Sequence, residues 1–148
     1  TNFDVLTGMY DYDEEGNLVK EYRQLQNSYP SNRQGLSTEY HKNGNKFIEG
    51  EFEKNQKIGK WTEWYKDGRI KQIEIFRHHI PSTLKKYSYH SNKKVYRIRE
   101  YKFDQWGKNN YPTPQITSHG TWIYYNEDGS LKKEEIYKDG ELIETIEY

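Results

Sequence analysis

The chain has 148 residues and a mass of 18.0 kDa, which fits one ordinary domain and excludes most multidomain enzymes. Lys plus Arg and Asp plus Glu each number 23, so no net charge expands the chain, although Leu, Ile, Val and Phe together make up less than a fifth of it. Aromatic residues make up 16% and supply large rings for a core, whereas the absence of alanine argues against a helical domain.

The first half of the chain predicts a repeat with a period of about 24 residues. An N-terminal copy lies near 8–25, and further copies lie near 35–58 and 59–79. Two glycines and an aromatic residue of the second copy recur 24 residues later in the third. These pairs are Gly35 and Gly59, Gly44 and Gly68, and Phe52 and Phe76.

The second half of the chain predicts two further copies, near 80–103 and 120–143. The first of them is divergent, with Asn92 where the turn glycine is expected. The second contains Gly120, Trp122 and Gly129 in the spacing of the earlier copies. Between them, 104–116 is predicted to be an insertion loop without strand pattern.

Each copy is predicted to form two short strands around a tight turn, because the Asn-Gly and Asp-Gly pairs tolerate the positive φ that such turns require. The first strand is expected to begin at the first glycine of the copy. About five hairpins in tandem indicate an all-β fold in which one elongated, twisted antiparallel sheet spans a single domain, 1–148.

Three segments resemble the MORN repeat in its bacterial variant form. They are YHKNGNKFIEGEF at 40–52, GKWTEWYKDGRIKQIEIF at 59–76 and GTWIYYNEDGSLKKEEIYKDG at 120–140. The resemblance implies a non-enzymatic scaffold that binds protein partners or membrane lipids. Bacterial proteins with similar repeats are described as antitoxin components, so an immunity protein that binds and neutralises a toxin is the specific hypothesis.

The repeated positions are interpreted first as structural. They are Gly44, Trp61, Trp64, Gly68, Trp122, Tyr125 and Gly129. Rings on one face of a sheet stabilise it by packing against each other. The alternative is an exposed ring ladder that stacks on sugars or bases.

Charge is distributed unevenly along the chain. Between Ser82 and Lys102 there are seven basic residues and one acid, whereas the last 22 residues contain eight acids and three lysines. A strand would place Lys93, Arg97 and Arg99 on one face. The basic segment is either a solvated edge that deters aggregation or a docking patch for an acidic protein, phosphate or anionic lipid. Nucleic acid is not expected as a partner, because the net charge is zero and no known nucleic-acid-binding module is visible.

The insertion loop contains Trp106 and Tyr111. These rings either anchor a partner or fold back onto the divergent copy. The candidate partner-binding residues are therefore Lys93, Arg97, Arg99, Lys102, Trp106 and Tyr111.

No catalytic residue, metal or cofactor is predicted. The chain has no Cys, and its five His residues do not have the spacing of a zinc site. Nucleophile-elbow and phosphate-loop motifs are absent as well.

The favoured interpretation is therefore a protein-binding scaffold, and a hydrolase has the least support. The alternative is an exported or surface-associated module that binds anionic lipid or glycan. No apolar run is long enough for a membrane-spanning helix, so membrane contact would be peripheral. The start at Thr1 slightly favours export to the periplasm or cell surface over the cytoplasm.

Overall fold

The computed structural model describes residues 5–25, 32–78, 80–103 and 115–148. These residues form strands, turns and bends and contain no helix. The chain divides into two compact units, residues 1–70 with 75–80 and residues 71–74 with 81–148. The prediction of one domain across 1–148 stays a prediction.

The first unit contains five strands that pair antiparallel in chain order. They are β1 (Leu6–Tyr12), β2 (Leu18–Leu25), β3 (Asn32–Tyr40), β4 (Lys46–Glu53) and β5 (Gln56–Trp64). The next strand, β6 (Ile70–Arg77), is divided between the two units.

The second unit contains β7 (Ile80–Tyr89) from Pro81 onward, β8 (Val95–Phe103), β9 (Ile116–Ser118), β10 (Gly120–Tyr125), β11 (Leu131–Lys138) and β12 (Glu141–Glu147). Both β9 and β10 pair with β8, so together they occupy the place that β5 has beside β4. The other pairs are antiparallel and follow chain order. The predicted all-β class of tandem antiparallel hairpins is confirmed.

In the last copy the first strand, β10, begins at Gly120 as predicted, but β3 and β5 begin earlier than predicted. Gly35 and Gly59 lie inside β3 and β5 rather than at their starts, and both have positive φ. Each glycine therefore lets a strand continue through an irregular point. Ile116, assigned to the insertion loop, is the first residue of β9.

Five hairpins share one turn geometry. In each, the first turn residue donates its N–H to the carbonyl four residues on, and the fourth donates its N–H back to the carbonyl of the first. The first residues are Asp13, His41, Tyr65, His90 and Asn126. The fourth residue has positive φ in all five turns, which is typical of a type I turn closed by a left-handed residue.

The fourth turn residue is glycine in four hairpins and Lys93 in the divergent copy, with φ of 68°. The expectation that Asn92 takes the glycine position is therefore wrong by one residue. The reason is that β7 has 10 residues where β5 has 9, which moves the turn along the chain.

The hydrophobic core is small. Among the described residues, the buried hydrophobic side chains are Phe52, Trp61, Leu84 and Tyr124, and Thr38 has no exposed surface. Three of the four hydrophobic residues are aromatic, as expected from a composition rich in rings. Trp64, Trp122 and Tyr125 are half-buried.

Candidate binding face of the second unit

Alternation along β8 places Arg97, Arg99 and Tyr101 on one face of the second unit. Their register is regular from Ser88 opposite Arg97 to Lys86 opposite Arg99. On the other side of β8, Tyr124 of β10 lies opposite Arg97. Further across, Lys133 and Glu135 of β11 lie opposite Tyr124 and Trp122. We call this surface the arginine face, defined by Lys86, Arg97, Arg99, Tyr101, Trp122, Tyr124 and Lys133.

Aromatic rings hold both guanidinium groups of the arginine face. The Arg97 guanidinium carbon lies 5.3 Å from the ring centroid of Tyr96 and 5.9 Å from that of Tyr124. For Arg99, the corresponding distances are 5.9 Å to Tyr101 and 5.5 Å to Trp122. These distances are within the range of cation–π attraction, so the rings fix the positions of the two cations.

The two arginines have no acidic partner among the residues that the structure describes. The Nε atoms of Arg97 and Arg99 are buried and make no hydrogen bond there. Lys86, directly opposite Arg99, adds a third positive charge. Because like charges on paired strands repel, this arrangement costs free energy of folding.

Glu135, the acidic residue on the adjoining part of this face, is already occupied. Its carboxylate accepts hydrogen bonds from Lys133 Nζ at 2.5 Å, from the Tyr124 hydroxyl at 2.7 Å and from the Tyr137 hydroxyl at 3.1 Å. Trp122 separates it in register from Arg99. The carboxylate therefore stabilises the rings rather than the arginines.

The pKa values reflect the network around Glu135. Burial raises the pKa of Glu135, but the hydrogen bonds from Lys133, Tyr124 and Tyr137 outweigh it and leave the pKa lowered. Burial, and next the bond to Glu135, raise the pKa of the Tyr124 and Tyr137 hydroxyls. Glu135 is therefore ionised at neutral pH while both tyrosines are neutral.

A tryptophan joins neighbouring hairpins in both units. Trp61 donates its indole N–H to the Glu51 carbonyl at 3.2 Å, and Trp122 donates to the Glu100 carbonyl at 2.8 Å. Each indole packs on the aromatic residue after that carbonyl, Phe52 or Tyr101, with ring centroids 4.9 and 5.4 Å apart. The sequence-predicted tryptophan positions are thus equivalent in structure.

In each unit, a histidine also joins the turns of the two hairpins that the tryptophan connects. His41 Nε2 lies 2.9 Å from the Trp64 carbonyl, and His90 Nε2 lies 3.0 Å from the Tyr125 carbonyl. A carbonyl only accepts, so each Nε2 carries the hydrogen. The role of the pair was missed because the additional residue in β7 moves His90 one residue out of the 24-residue period.

The structure brings together only part of the sequence-predicted patch. Arg97 and Arg99 share a face, but Lys93 lies in an exposed turn. Lys102 follows Tyr101 and therefore lies on the opposite face, where it forms an ion pair with Asp139. Trp106 and Tyr111 lie outside the described residues.

Five members of the arginine face were not among the candidate partner-binding residues: Lys86, Tyr101, Trp122, Tyr124 and Lys133. Lys86 and Tyr124 lie beside the arginines only through cross-strand pairing. Knowing how β7, β8 and β10 pair would have identified both residues. This pairing could not be read from the sequence because β7 is longer than β5 and an insertion precedes β9.

A shallow groove of about 380 Å³ lies in the first unit. Its lining includes Leu36, Glu49, Glu51, Lys60, Thr62 and Trp64. The Lys46 ammonium lies 5.8 Å from the Trp64 ring centroid. An aromatic wall beside charged and hydroxyl groups suits a small polar ligand such as a sugar.

The described part of the chain has no group of three or more His, Cys, Asp or Glu side chains arranged to hold a metal ion. It also has no helix of the length and apolarity that crossing a bilayer would require.

Comparison with known proteins identifies two repeats in the chain. The MORN repeat variant matches residues 33–54, which contain the β3–β4 hairpin, and residues 118–139, which contain β10 and β11. The resemblance is thereby confirmed for the second and fifth copies.

No curated protein matches the chain. Among solved structures, a DUF3836 family protein from Parabacteroides distasonis ATCC 8503 is 16% identical over 78% of this chain and 89% of its own, with a TM-score of 0.23. This similarity is too low to support an inference about function.

Proposed function

We propose that the protein is a non-enzymatic, repeat-based binding module that uses the arginine face to bind an acidic surface on a partner protein. The observation that carries this proposal is the pair of arginines, Arg97 and Arg99, each fixed by rings and neither with a described acidic partner. Arg is the cation best suited to a protein interface, since its fork of donors matches a carboxylate.

The specific partner that we propose is a toxin, which the module would neutralise by covering part of its surface. This step rests on the resemblance to bacterial MORN variants, and the two matched segments support the repeat itself. The arginine face supplies the contact chemistry, because charge complementarity accelerates association and selects the partner.

The test begins with co-purification of a partner from the native host and measurement of its affinity for the purified chain. The variant Arg97→Glu/Arg99→Glu is expected to weaken binding at least about 100-fold, since reversing two interfacial charges replaces attraction by repulsion. Expression of the partner alone is expected to arrest growth, and co-expression of the wild-type chain is expected to restore it.

The matched control is Lys42→Glu/Lys66→Glu, which makes the same change in net charge on exposed lysines of the first unit. It is expected to bind the partner as the wild type does. Equal affinity of the Arg97→Glu/Arg99→Glu variant would overturn the proposed surface, and a partner without effect on growth would overturn the toxin assignment.

A second candidate function is glycan binding in the groove of the first unit, which its Trp64 wall favours. Titration with cell-wall oligosaccharides tests it through tryptophan fluorescence. Saturable binding that Trp64→Ala abolishes and Trp122→Ala leaves intact would support this function. No binding to the wild type would exclude it for the sugars used.

A further inference from the structure

We infer that the arginine face binds an extended acidic segment whose carboxylates lie two residues apart. This inference rests on the proposed function and specifies the partner's chemistry. An alternating Asp/Glu-x-Asp/Glu segment would lie along β8, with one carboxylate on Arg97 and the next on Arg99.

The spacing of the two arginines carries the inference. Arg97, Ile98 and Arg99 pair in continuous register with Ser88, Tyr87 and Lys86, so no bulge interrupts β8 there. Two residues of a strand span about 6.6–6.8 Å. An extended partner segment has the same repeat, so carboxylates at i and i+2 match the arginines and adjacent carboxylates do not.

The backbone of β8 is unavailable to such a segment. β7 pairs with one edge of β8, and β9 and β10 pair with the other edge. Both hydrogen-bonding edges of β8 are therefore occupied. The segment must therefore bind through side chains on the face of the sheet rather than by adding a strand at an edge. This makes the order of its charges the main source of specificity.

The surroundings of the arginines favour carboxylates of a protein segment. Trp122 is a half-buried ring beside Arg99 and offers apolar surface to the residue between the carboxylates. Lys86 lies on β7, the neighbouring strand, directly opposite Arg99, and would strengthen the attraction. An Arg–carboxylate pair with two parallel hydrogen bonds requires a fixed orientation of the two groups. A carboxylate on an extended protein segment is held in place, whereas a lipid headgroup is mobile.

The test uses three labelled twelve-residue peptides of identical composition, each with two aspartates in a Ser/Thr background. The aspartates are two residues apart in the first peptide, adjacent in the second and five apart in the third. Fluorescence anisotropy gives the affinities at low salt, and NMR signals of the two Arg Nε–H groups report the site. The first peptide is expected to bind about fivefold tighter than the others and to shift both Nε–H signals.

The single variants Arg97→Gln and Arg99→Gln are each expected to reduce the affinity for the first peptide to that for the other two peptides. The control variant Lys42→Gln/Lys66→Gln is expected to keep the preference. Loss of the preference in that control would overturn the inference, because the binding would then lie elsewhere.

Equal binding of all three peptides to the wild type would overturn the inference about spacing. The proposed function would still stand if the native partner's affinity depended on Arg97 and Arg99. Binding to vesicles containing phosphatidylglycerol, with no binding of any peptide, would overturn the inference in favour of a lipid ligand.

Discussion

The β3–β4–β5 part of the first unit and the β7–β8–β10 part of the second are built on one plan but differ at the positions beneath the tryptophan. Both have the indole-to-carbonyl bond, the packed ring and the turn histidine. Counted from the left-handed turn residue, Gly50 of β4 corresponds to Arg99 of β8, and Ile48 corresponds to Arg97.

The consequence of this difference is visible at the two indoles. The Trp61 indole packs directly over Gly50 and is 5% exposed, whereas the Trp122 indole is half-buried beside Arg99. The first unit thus uses the position for packing. The second unit has less packing at this position and places two arginines without a described acidic partner there, as expected of a binding surface.

The largest expected effect comes from Gly50→Ala. A Cβ at this position would lie 2.2 Å from the Trp61 ring, so the ring must move. We expect the free energy of unfolding to fall by about 2–3 kcal/mol, measured by urea denaturation. Gly8→Ala is the control, since its Cβ would meet only the ring of exposed Tyr10 at 3.4 Å or more. Equal effects of the two substitutions would contradict the packing role of Gly50.

The second prediction concerns Lys93, the residue that replaces the turn glycine in the divergent hairpin. Its φ of 68° is strained for a residue with a Cβ. Lys93→Gly is expected to raise the free energy of unfolding by about 0.5–1 kcal/mol, and Gly44→Lys to lower it by about 1 kcal/mol. Urea denaturation of both variants checks the opposite signs, and a loss of stability in Lys93→Gly would refute the assignment of the turn.

A smaller effect is expected from Lys86→Glu, which changes a repulsive cross-strand pair with Arg99 into an attractive one. The free energy of unfolding should rise by about 0.5 kcal/mol at low salt and by less at high salt. The same variant should weaken binding to the acidic partner. Greater stability together with tighter binding would argue against a functional role for this charge.

The smallest expected effect is on how steeply stability declines with pH in the alkaline range. The hydrogen bond to Glu21, at 2.6 Å, and burial raise the pKa of Tyr40 to about 12. Since tyrosine in an unfolded chain ionises near pH 10, the contribution of Tyr40 is complete below about pH 10 and is lost as pH rises toward about 12. Tyr40→Phe should therefore show a shallower decline of stability over that range. Identical slopes for wild type and variant would contradict this account.

Sequence reasoning predicted the parts of the fold that repeat. Glycines at a fixed spacing and tryptophans two residues after them were enough to predict tandem hairpins, because a left-handed turn residue and a buried ring each restrict the residue type strongly. Asn92 was misassigned because one additional residue in β7 shifts the turn without changing its hydrogen bonds.

The candidate site was predictable only along a single strand. Alternation correctly placed Arg97 and Arg99 together, since it needs no information beyond β8. It failed for Lys93, which lies beyond the irregular pairing of Tyr89 with Val95. Lys86 and Tyr124 depend on cross-strand register, and the sequence does not encode register across strands of unequal length.

The central claim is that the arginine face binds an acidic partner, and the most direct test is the affinity of the native partner for Arg97→Gln/Arg99→Gln. The account predicts binding at least about tenfold weaker than wild type with unchanged or higher stability, whereas Lys42→Gln/Lys66→Gln binds normally. Wild-type affinity in the arginine variant, or an equal loss in both variants, would contradict it.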